Sequence, residues 1–180
     1  MAITGASGVE LAVIFLQKLK EHGLKAELII SKTAEKIIKI ETEYLVKEVI
    51  ALSDKYFEVD DLTASPASGS YKNDIMVIIP CSMKTLAAIA NGYADNLITR
   101  AADVTIKEQR KLILVVRESP FSSIHLENML KLSRLGVVIA PPIYSFYIKP
   151  KNIKEINNYF VGRILEQMGI DSGIKRWGDN

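Results

Sequence analysis

Residues 75–103 read IMVIIPCSMKTLAAIANGYADNLITRAAD, and the reading of this stretch decides the fold. Ile75 to Pro80 is a continuous apolar run of the kind shown by a parallel strand buried on both faces. Pro80 has no amide hydrogen to give a sheet ladder, so the strand is expected to end there. Cys81-Ser82-Met83-Lys84-Thr85 follows at once, and Leu86 to Ala90 then carries a helical apolar pattern closed by an Asn91-Gly92 C-cap. Strand, hydroxyl-rich turn and helix N-terminus in succession make a place to hold an anion. The first N–H groups of the helix are unpaired, its dipole end is positive, and Ser82 and Thr85 add donors. A capped helix behind a strand recurs throughout α/β proteins, so this stretch fixes architecture and leaves function open.

Working outward, Met1 to Thr4 leads into Gly5-Ala6-Ser7-Gly8 and a helix with apolar residues at Leu11, Val13, Ile14, Phe15, Leu16 and Leu19, ending at Gly23. Ala26 to Ile30 reads as the second strand, stopping at Ser31, and one long helix is expected over about 33–52. Phe57-Glu58-Val59 is a candidate short strand. Residues 60–74 form a loop rich in Ser, Gly, Pro and Asp that contains Ala67-Ser68-Gly69-Ser70. Beyond the opening stretch come a helix over about 95–110, a strand at 112–116 ending in Arg117-Glu118, and a helix from Ser122 with a stripe at Leu126, Met129, Leu130 and Leu135. A strand at 137–140 and an aromatic loop around Tyr144-Ser145-Phe146-Tyr147 follow, and Asn152 with Glu155 forms a capping box for the last helix, about 153–168. Alternating strands and helices predict a three-layer, Rossmann-like α/β fold with a mostly parallel sheet, in one domain over 1–180.

The 180 residues carry 23 Lys and Arg against 21 Asp and Glu, a net charge of +2 with the two signs interleaved. That balance offers no footprint for nucleic acid. The single cysteine, Cys81, excludes an intramolecular disulfide, and no Cys/His spacing suggests a metal site. Glu10 interrupts the apolar stretch at 9–16 and no basic segment precedes it, which argues against a signal peptide, and no run is long enough to span a bilayer. A cytoplasmic chain is expected.

In an open parallel sheet the ligand lies outside the carboxyl ends of the strands, near the switch in strand order. The residues placed there are Ser7, Ser31, Ser68, Ser82, Thr85, Arg117 and Glu118. Hydroxyls and an arginine point to a phosphorylated ligand, since guanidinium grips phosphate through paired, charge-assisted hydrogen bonds. The turn pattern is Gly5-x-x-Gly8, and the second strand ends in Ser31 rather than an acidic residue. A dinucleotide needs the fuller glycine pattern and that acid for its ribose, so a mononucleotide is favoured. His22 and His125 are explained by their helix termini, and no Ser-His-Asp order or metal motif can be assembled.

The segments ITGASG, PASGS, CSMKTLAAIANGYADNLITRAADV, RKLILVVRESPFSSIHLENMLKLSRLG, FY-x-x-P and KRWG together closely resemble the UbiX flavin prenyltransferases, long described as 3-octaprenyl-4-hydroxybenzoate or aromatic-acid decarboxylases and placed in the flavin-binding cysteine decarboxylase-like superfamily. The resemblance covers essentially the whole chain. It implies a metal-independent transfer of a dimethylallyl group, from dimethylallyl monophosphate or diphosphate, to N5 and C6 of reduced FMN. The prenylated FMN would serve a UbiD-type decarboxylase, and the chain would assemble as a homo-oligomer, a dodecamer.

Matched by motif, the resemblance implies FMN contacts at Gly5, Ala6, Ser7, Ser31, Ser82, Met83, Lys84, Thr85 and Arg117. It implies a prenyl-phosphate site at Ser7, Ser68, Lys107, Arg117, Glu118, Tyr147 and Arg163, and sets Glu41 near the reacting edge of the flavin. Breaking an allylic C–O bond develops negative charge on the phosphate, which Lys107, Arg117, Arg163 and the Tyr147 hydroxyl would stabilise. Glu118 then suits a proton donor to the departing phosphate, and Glu41 suits proton handling at the flavin. The chain departs from the family in its short first strand, in Val9-Glu10-Leu11-Ala12 after the turn, and in Leu62 near a usually aromatic position. The rivals are an FMN-dependent decarboxylase of the related class, whose flavin-side motif has Asn and a catalytic His where this chain has Pro80-Cys81-Ser82, and a non-catalytic FMN-binding subunit.

Overall fold

In the computed structural model, which describes residues 1–178, six strands pair in parallel: β1 (Ala2–Ile3), β2 (Glu27–Ile30), β3 (Lys55–Phe57), β4 (Ile75–Cys81), β5 (Lys111–Val116) and β6 (Val138–Ile139). Their order across the sheet is β3-β2-β1-β4-β5-β6. The chain runs outward from β1 to β3, returns to β4, and runs outward again. The switch in direction therefore falls between β1 and β4, where an open α/β sheet binds its ligand. Helices connect and flank the strands: α1 (Val9–Glu21), α2 (Lys32–Glu41), α3 (Val46–Ile50), α4 (Met83–Ala90), α5 (Leu97–Lys107), α6 (Ser123–Ser133) and α7 (Ile153–Gln167). The Rossmann-like α/β architecture is the expected one, and the sheet, expected to be mostly parallel, is parallel in every pairing described.

The apolar runs explain the sheet. In β4 and β5 every residue after the first is buried, so these strands have no solvent face and their side chains pack against helices on both sides. Beneath them, Leu86, Leu97, Ala102, Leu114 and Leu132 belong to one core cluster that joins α4, α5, β5 and α6. By close contacts the chain divides into two units, Met1–Pro141 and the residues from Pro142 onward. The sheet and α1 to α6 lie in the first, and α7 in the second. None of the described helices is long and apolar enough to cross a membrane.

Four details differ from the expectations. First, β4 runs through Pro80 to Cys81, and its pairing with β5 slips between Ile78 and Cys81. Pro80 does remove a ladder donor, but the strand absorbs the loss as a bulge and resumes pairing. Second, the long helix over 33–52 is two helices. The Thr42 hydroxyl donates to the Ile38 carbonyl at 2.8 Å and accepts from Tyr44 N–H, and Glu48 caps the Leu45 N–H at 2.8 Å. These local hydrogen bonds compete with helix continuation. Third, α5 starts at an Asn96 cap, its Oδ1 accepting from Ile98 and Thr99 N–H. Fourth, of the stripe expected on α6 only Met129 packs against the core. Leu126, Leu130 and Leu135 are half or more exposed, while Leu132 is fully buried. Asn152 caps α7 as expected through Glu155 N–H, and Glu155 reaches back to Lys151 N–H.

With only two residues, β1 has little ladder of its own, and Thr4 completes its attachment. The buried Thr4 hydroxyl donates to the Pro80 carbonyl and accepts from Ser82 N–H, both at 2.8 Å, while Thr4 N–H also donates to Pro80 O. Thr4→Val keeps the shape and leaves Ser82 N–H unpaired in the interior. It is expected to destabilise the fold by about 1–3 kcal/mol in urea denaturation, and a variant as stable as the parent would show that the Thr4 hydroxyl does not hold this junction.

Candidate functional site

Three helix N-termini meet at the switch point because the sequence puts a small or hydroxyl residue at the carboxyl end of each strand concerned. After β1, the turn Gly5-Ala6-Ser7-Gly8 enters α1 through Gly8, whose φ of 97° suits glycine. After β2, Ser31 donates its N–H to the Ile3 carbonyl at 3.0 Å and caps α2 by accepting from Ala34 N–H at 3.2 Å. After β4, Ser82 caps α4, accepting from Thr85 N–H at 3.3 Å while its hydroxyl lies 3.1 Å from that of Thr85. These turns are packed tightly. A Cβ on Gly5 would lie 2.6 Å from Thr33 Cγ2, so only glycine lets the first turn close on the start of α2.

The structure thus brings Gly5, Ala6, Ser7, Ser31, Ser82 and Thr85 to one edge. Met83 is half-buried at the head of α4. Lys84, exposed beside it, pairs with Asp95 at 3.2 Å. Arg117 follows β5 directly, its N–H donating to the Cys81 carbonyl at 3.1 Å, which sets Arg117 beside the α4 turn. Glu118 is exposed, and its carboxylate accepts from Ser119 N–H. Glu41, at the last position of α2, reaches the α1 terminus, where its Oε2 accepts from Gly8 N–H at 2.8 Å and more weakly from Val9 N–H at 3.4 Å. It holds the positive end of α1, which is the electrostatics an anion would meet there.

A second group forms where the carboxyl-terminal half of α5 meets the loop before β4, so Ser68, expected at the carboxyl ends of the strands, lies apart from the residues gathered there. Ser68 lies at the end of a 3-10 turn (Ser65–Ala67), its hydroxyl 2.8 Å from that of Ser70. Lys107, the last residue of α5, is ion-paired with Glu108, and the pair depresses the Glu108 carboxyl below its ordinary value through hydrogen bond and charge. A Cβ on Gly69 would lie 2.6 Å from Lys107 Nζ. Lys107 therefore lies against this loop, at the residue after Ser68. Tyr147 and Arg163 are described within the second unit. The Tyr147 hydroxyl shares a hydrogen bond with Tyr159, which pushes the Tyr147 phenol up, and its ring meets Trp177 edge-on at 5.1 Å. Arg163 pairs with Glu166 at 2.6 Å.

Sequence reasoning missed Thr4, Thr33 and two arginines that hold the Ser68 loop, Arg100 and Arg110. Arg100 donates to the Ala67 carbonyl at 3.1 Å, and Arg110 donates to the carbonyls of Gly69 and Tyr71. Their partners lie more than thirty residues away, so no local pattern marks them. A cleft of about 460 Å³ opens at the opposite, amino edge of the sheet, lined by Arg110, Lys111, Arg134 and Val137 among others. It sits by the carboxyl-terminal ends of α5 and α6 and no helix N-terminus lines it, so the switch point is the better candidate for the flavin nucleotide.

A flavoprotein family model matches residues 1–165. A flavin prenyltransferase UbiX from Methanocaldococcus jannaschii is 55% identical over 179 residues, 99% of this chain and 97% of that protein. The chain belongs to the UbiX family of flavoproteins. The mitochondrial flavin prenyltransferase PAD1 of Saccharomyces cerevisiae is 51% identical over 98% of this chain and 74% of its own length. Among solved structures, AnUbiX (PadA1) in complex with FMN and dimethylallyl pyrophosphate superposes with a TM-score of 0.97 at 46% identity, covering 99% of this chain and 96% of that one. A dodecameric FMN-dependent UbiX-like decarboxylase from Escherichia coli O157:H7 superposes at 0.95, also 46% identical, covering 99% and 100%. Cysteine decarboxylases such as TvaF, at 18% identity, share the fold alone.

Cys81 sits inside this UbiX-type edge without being available to it. The residue is fully buried, and burial pushes its thiol far above the ordinary range. Thiolate is the reactive form. Native protein at pH 8 is therefore expected to leave Cys81 unlabelled by a thiol-reactive chromophore over hours, with one equivalent reacting promptly in denaturant. Fast labelling of the native protein would place Cys81 within reach of solvent and contradict the packing.

Proposed function

We infer that this chain is a flavin prenyltransferase, joining a dimethylallyl group from dimethylallyl monophosphate or diphosphate to N5 and C6 of reduced FMN, with the prenylated FMN passing to a UbiD-type decarboxylase. The observation that carries this reading is the match, at TM-score 0.97 over 99% of the chain, to a UbiX holding FMN and dimethylallyl pyrophosphate. The residues present fit FMN. The Gly5 turn closes without a side chain, and the N-termini of α2 and α4 with Ser7, Ser31, Ser82 and Thr85 supply N–H and hydroxyl donors for a phosphate monoester, while Glu41 takes the Gly8 and Val9 N–H groups of α1. On this reading Gly5, Ala6, Ser7, Ser31, Ser82, Met83, Lys84, Thr85 and Arg117 hold the flavin nucleotide. Residues 1–180 act as one FMN-binding domain, since the family match runs through Pro142 without a break.

Reduced flavin supplies an electron-rich N5 and C6 for alkylation, and the chain's own task is the departing phosphate. On this reading Ser7 and Arg117 bind it at the carboxyl edge of one copy. Ser68 and Lys107, which lie at the carboxyl-terminal end of α5 away from that edge, reach it with Arg163 and the Tyr147 hydroxyl from neighbouring copies in the homo-oligomer. Together they meet the charge that grows as the allylic C–O bond breaks. Glu118 gives it a proton, and Glu41, fixed on Gly8 N–H, handles protons at the flavin edge. The exposed leucines of α6 suit burial between copies in a homo-oligomer, a dodecamer as in the Escherichia coli relative. The cytoplasm is the compartment in which it works.

Anaerobic incubation of the protein with reduced FMN and dimethylallyl monophosphate or diphosphate, followed by mass spectrometry of the extracted flavin, is expected to show a five-carbon increment. Glu118→Gln is expected to slow its appearance by about 10²–10⁴-fold, the range for loss of a general acid. Glu118→Gln at the parent rate would remove the proton-donor role. Unmodified FMN with both donors would overturn the transferase in favour of a decarboxylase or an FMN-binding subunit.

A further inference from the structure

The loop carrying Ser68 has little of its own to hold it. Ser68, Ser70, Lys72 and Asp74 are exposed, and the segment contributes no fully buried side chain between Ser65 and Asp74. Arg100 holds the Ala67 carbonyl, Ala67 packs against the core and the Tyr71 hydroxyl meets Glu27, while beyond Ser68 the loop backbone is held by Arg110. Arg110 follows α5 after Gln109, whose φ of 56° turns the backbone out of the helix, and Arg110 N–H is tied to the Thr105 carbonyl at 2.9 Å. From there the half-buried guanidinium donates through Nη2 to the Gly69 carbonyl at 2.9 Å. Through Nη1 it donates to the Tyr71 carbonyl at 2.8 Å and to Asn73 Oδ1 at 2.6 Å. One planar fork thus fixes three points along five residues of loop. At the other side of the same loop, Gly69 leaves room for the Lys107 ammonium and the Glu108 carboxylate, which a Cβ would displace.

We propose that Arg110 is a positioning residue for the prenyl donor: its guanidinium sets the Ser68–Gly69 loop at the distance from α5 that lets the Ser68 hydroxyl and the Lys107 ammonium grip one phosphate together. This rests on the assignment of Ser68 and Lys107 to the donor phosphate. Arg110 itself spends its donors on the loop, so it acts through Ser68 and Lys107. Lysine would keep the charge and lose the fork, because an ammonium cannot span three acceptors in fixed planar geometry. A loop released in this way must be ordered each time the donor binds, which weakens binding and leaves the later chemistry nearly intact.

The test is steady-state prenylation of reduced FMN, with FMN affinity followed separately by quenching of flavin fluorescence. For Arg110→Lys the donor KM is expected to rise about tenfold or more, with kcat within about threefold and FMN affinity within about twofold of the parent. An unchanged donor KM in Arg110→Lys overturns the proposal, as does a loss of FMN affinity in step with the rise in KM, which would mark a general structural role. Gly69→Ala keeps Arg110 and disturbs only the flexible ends of Lys107 and Glu108, so it carries the test if Arg110 variants fail to fold. It is expected to raise the donor KM as well, and an unchanged value overturns the coupling of loop to Lys107. Ser68→Ala and Lys107→Ala report on the underlying assignment: if both keep the parental donor KM, that reading falls and this proposal with it. If they raise KM while Arg110→Lys does not, the proposal alone falls.

Discussion

The hydroxyl of Thr4 joins the two halves of the sheet at the point where the chemistry is placed. β1 has two residues and β4 loses a donor at Pro80, so neither strand can secure the other by ladder alone. One buried hydroxyl, donating to Pro80 and accepting from Ser82, closes that gap and at the same time orients the cap of α4. Ser31 makes the matching link on the other side through the Ile3 carbonyl. The switch in strand order, the helix N-termini of α1, α2 and α4 and the glycine turn packed on Thr33 all lie around this junction. A buried polar atom without its partner would cost about as much as the junction contributes, which is why the arrangement has little room to vary.

Three of the cations assigned to the flavin nucleotide or the donor phosphate rest on carboxylates. Lys84 rests on Asp95, Lys107 on Glu108 and Arg163 on Glu166. Exposed pairs of this kind contribute roughly 0–1 kcal/mol each. A phosphate with more charge and more acceptor oxygens can exchange for such a carboxylate at small cost. Glu41 differs, because it satisfies backbone N–H groups of α1 that have no intrahelical partner.

Where one-dimensional pattern carries the physics, the sequence was readable. Ile75–Cys81 and Lys111–Val116 announce themselves as buried parallel strands, and the serines ending β2 and β4 can be placed at the ligand edge from strand boundaries alone. The break at Thr42 was not readable, because the apolar spacing of Ile38, Leu45 and Val49 continues across it while a single hydroxyl hydrogen bond ends the helix. The α6 stripe misled in part: Met129 packs against the core as its spacing implies, but Leu126 and Leu130 are exposed and Leu132, outside the stripe, is fully buried. Thr4 and Arg110 carry no signal in sequence, since each works through partners 37 to 78 residues away.

The most direct measurement is a crystal structure of the protein grown with FMN and dimethylallyl monophosphate. Flavin nucleotide along Gly5–Ser7, Ser31 and Ser82–Thr85, with the second phosphate between Ser68 and Lys107, is the expected result. Flavin in the cleft by Arg110, Lys111 and Arg134 at the amino edge of the sheet, or a donor phosphate clear of Ser68 and Lys107, would contradict it.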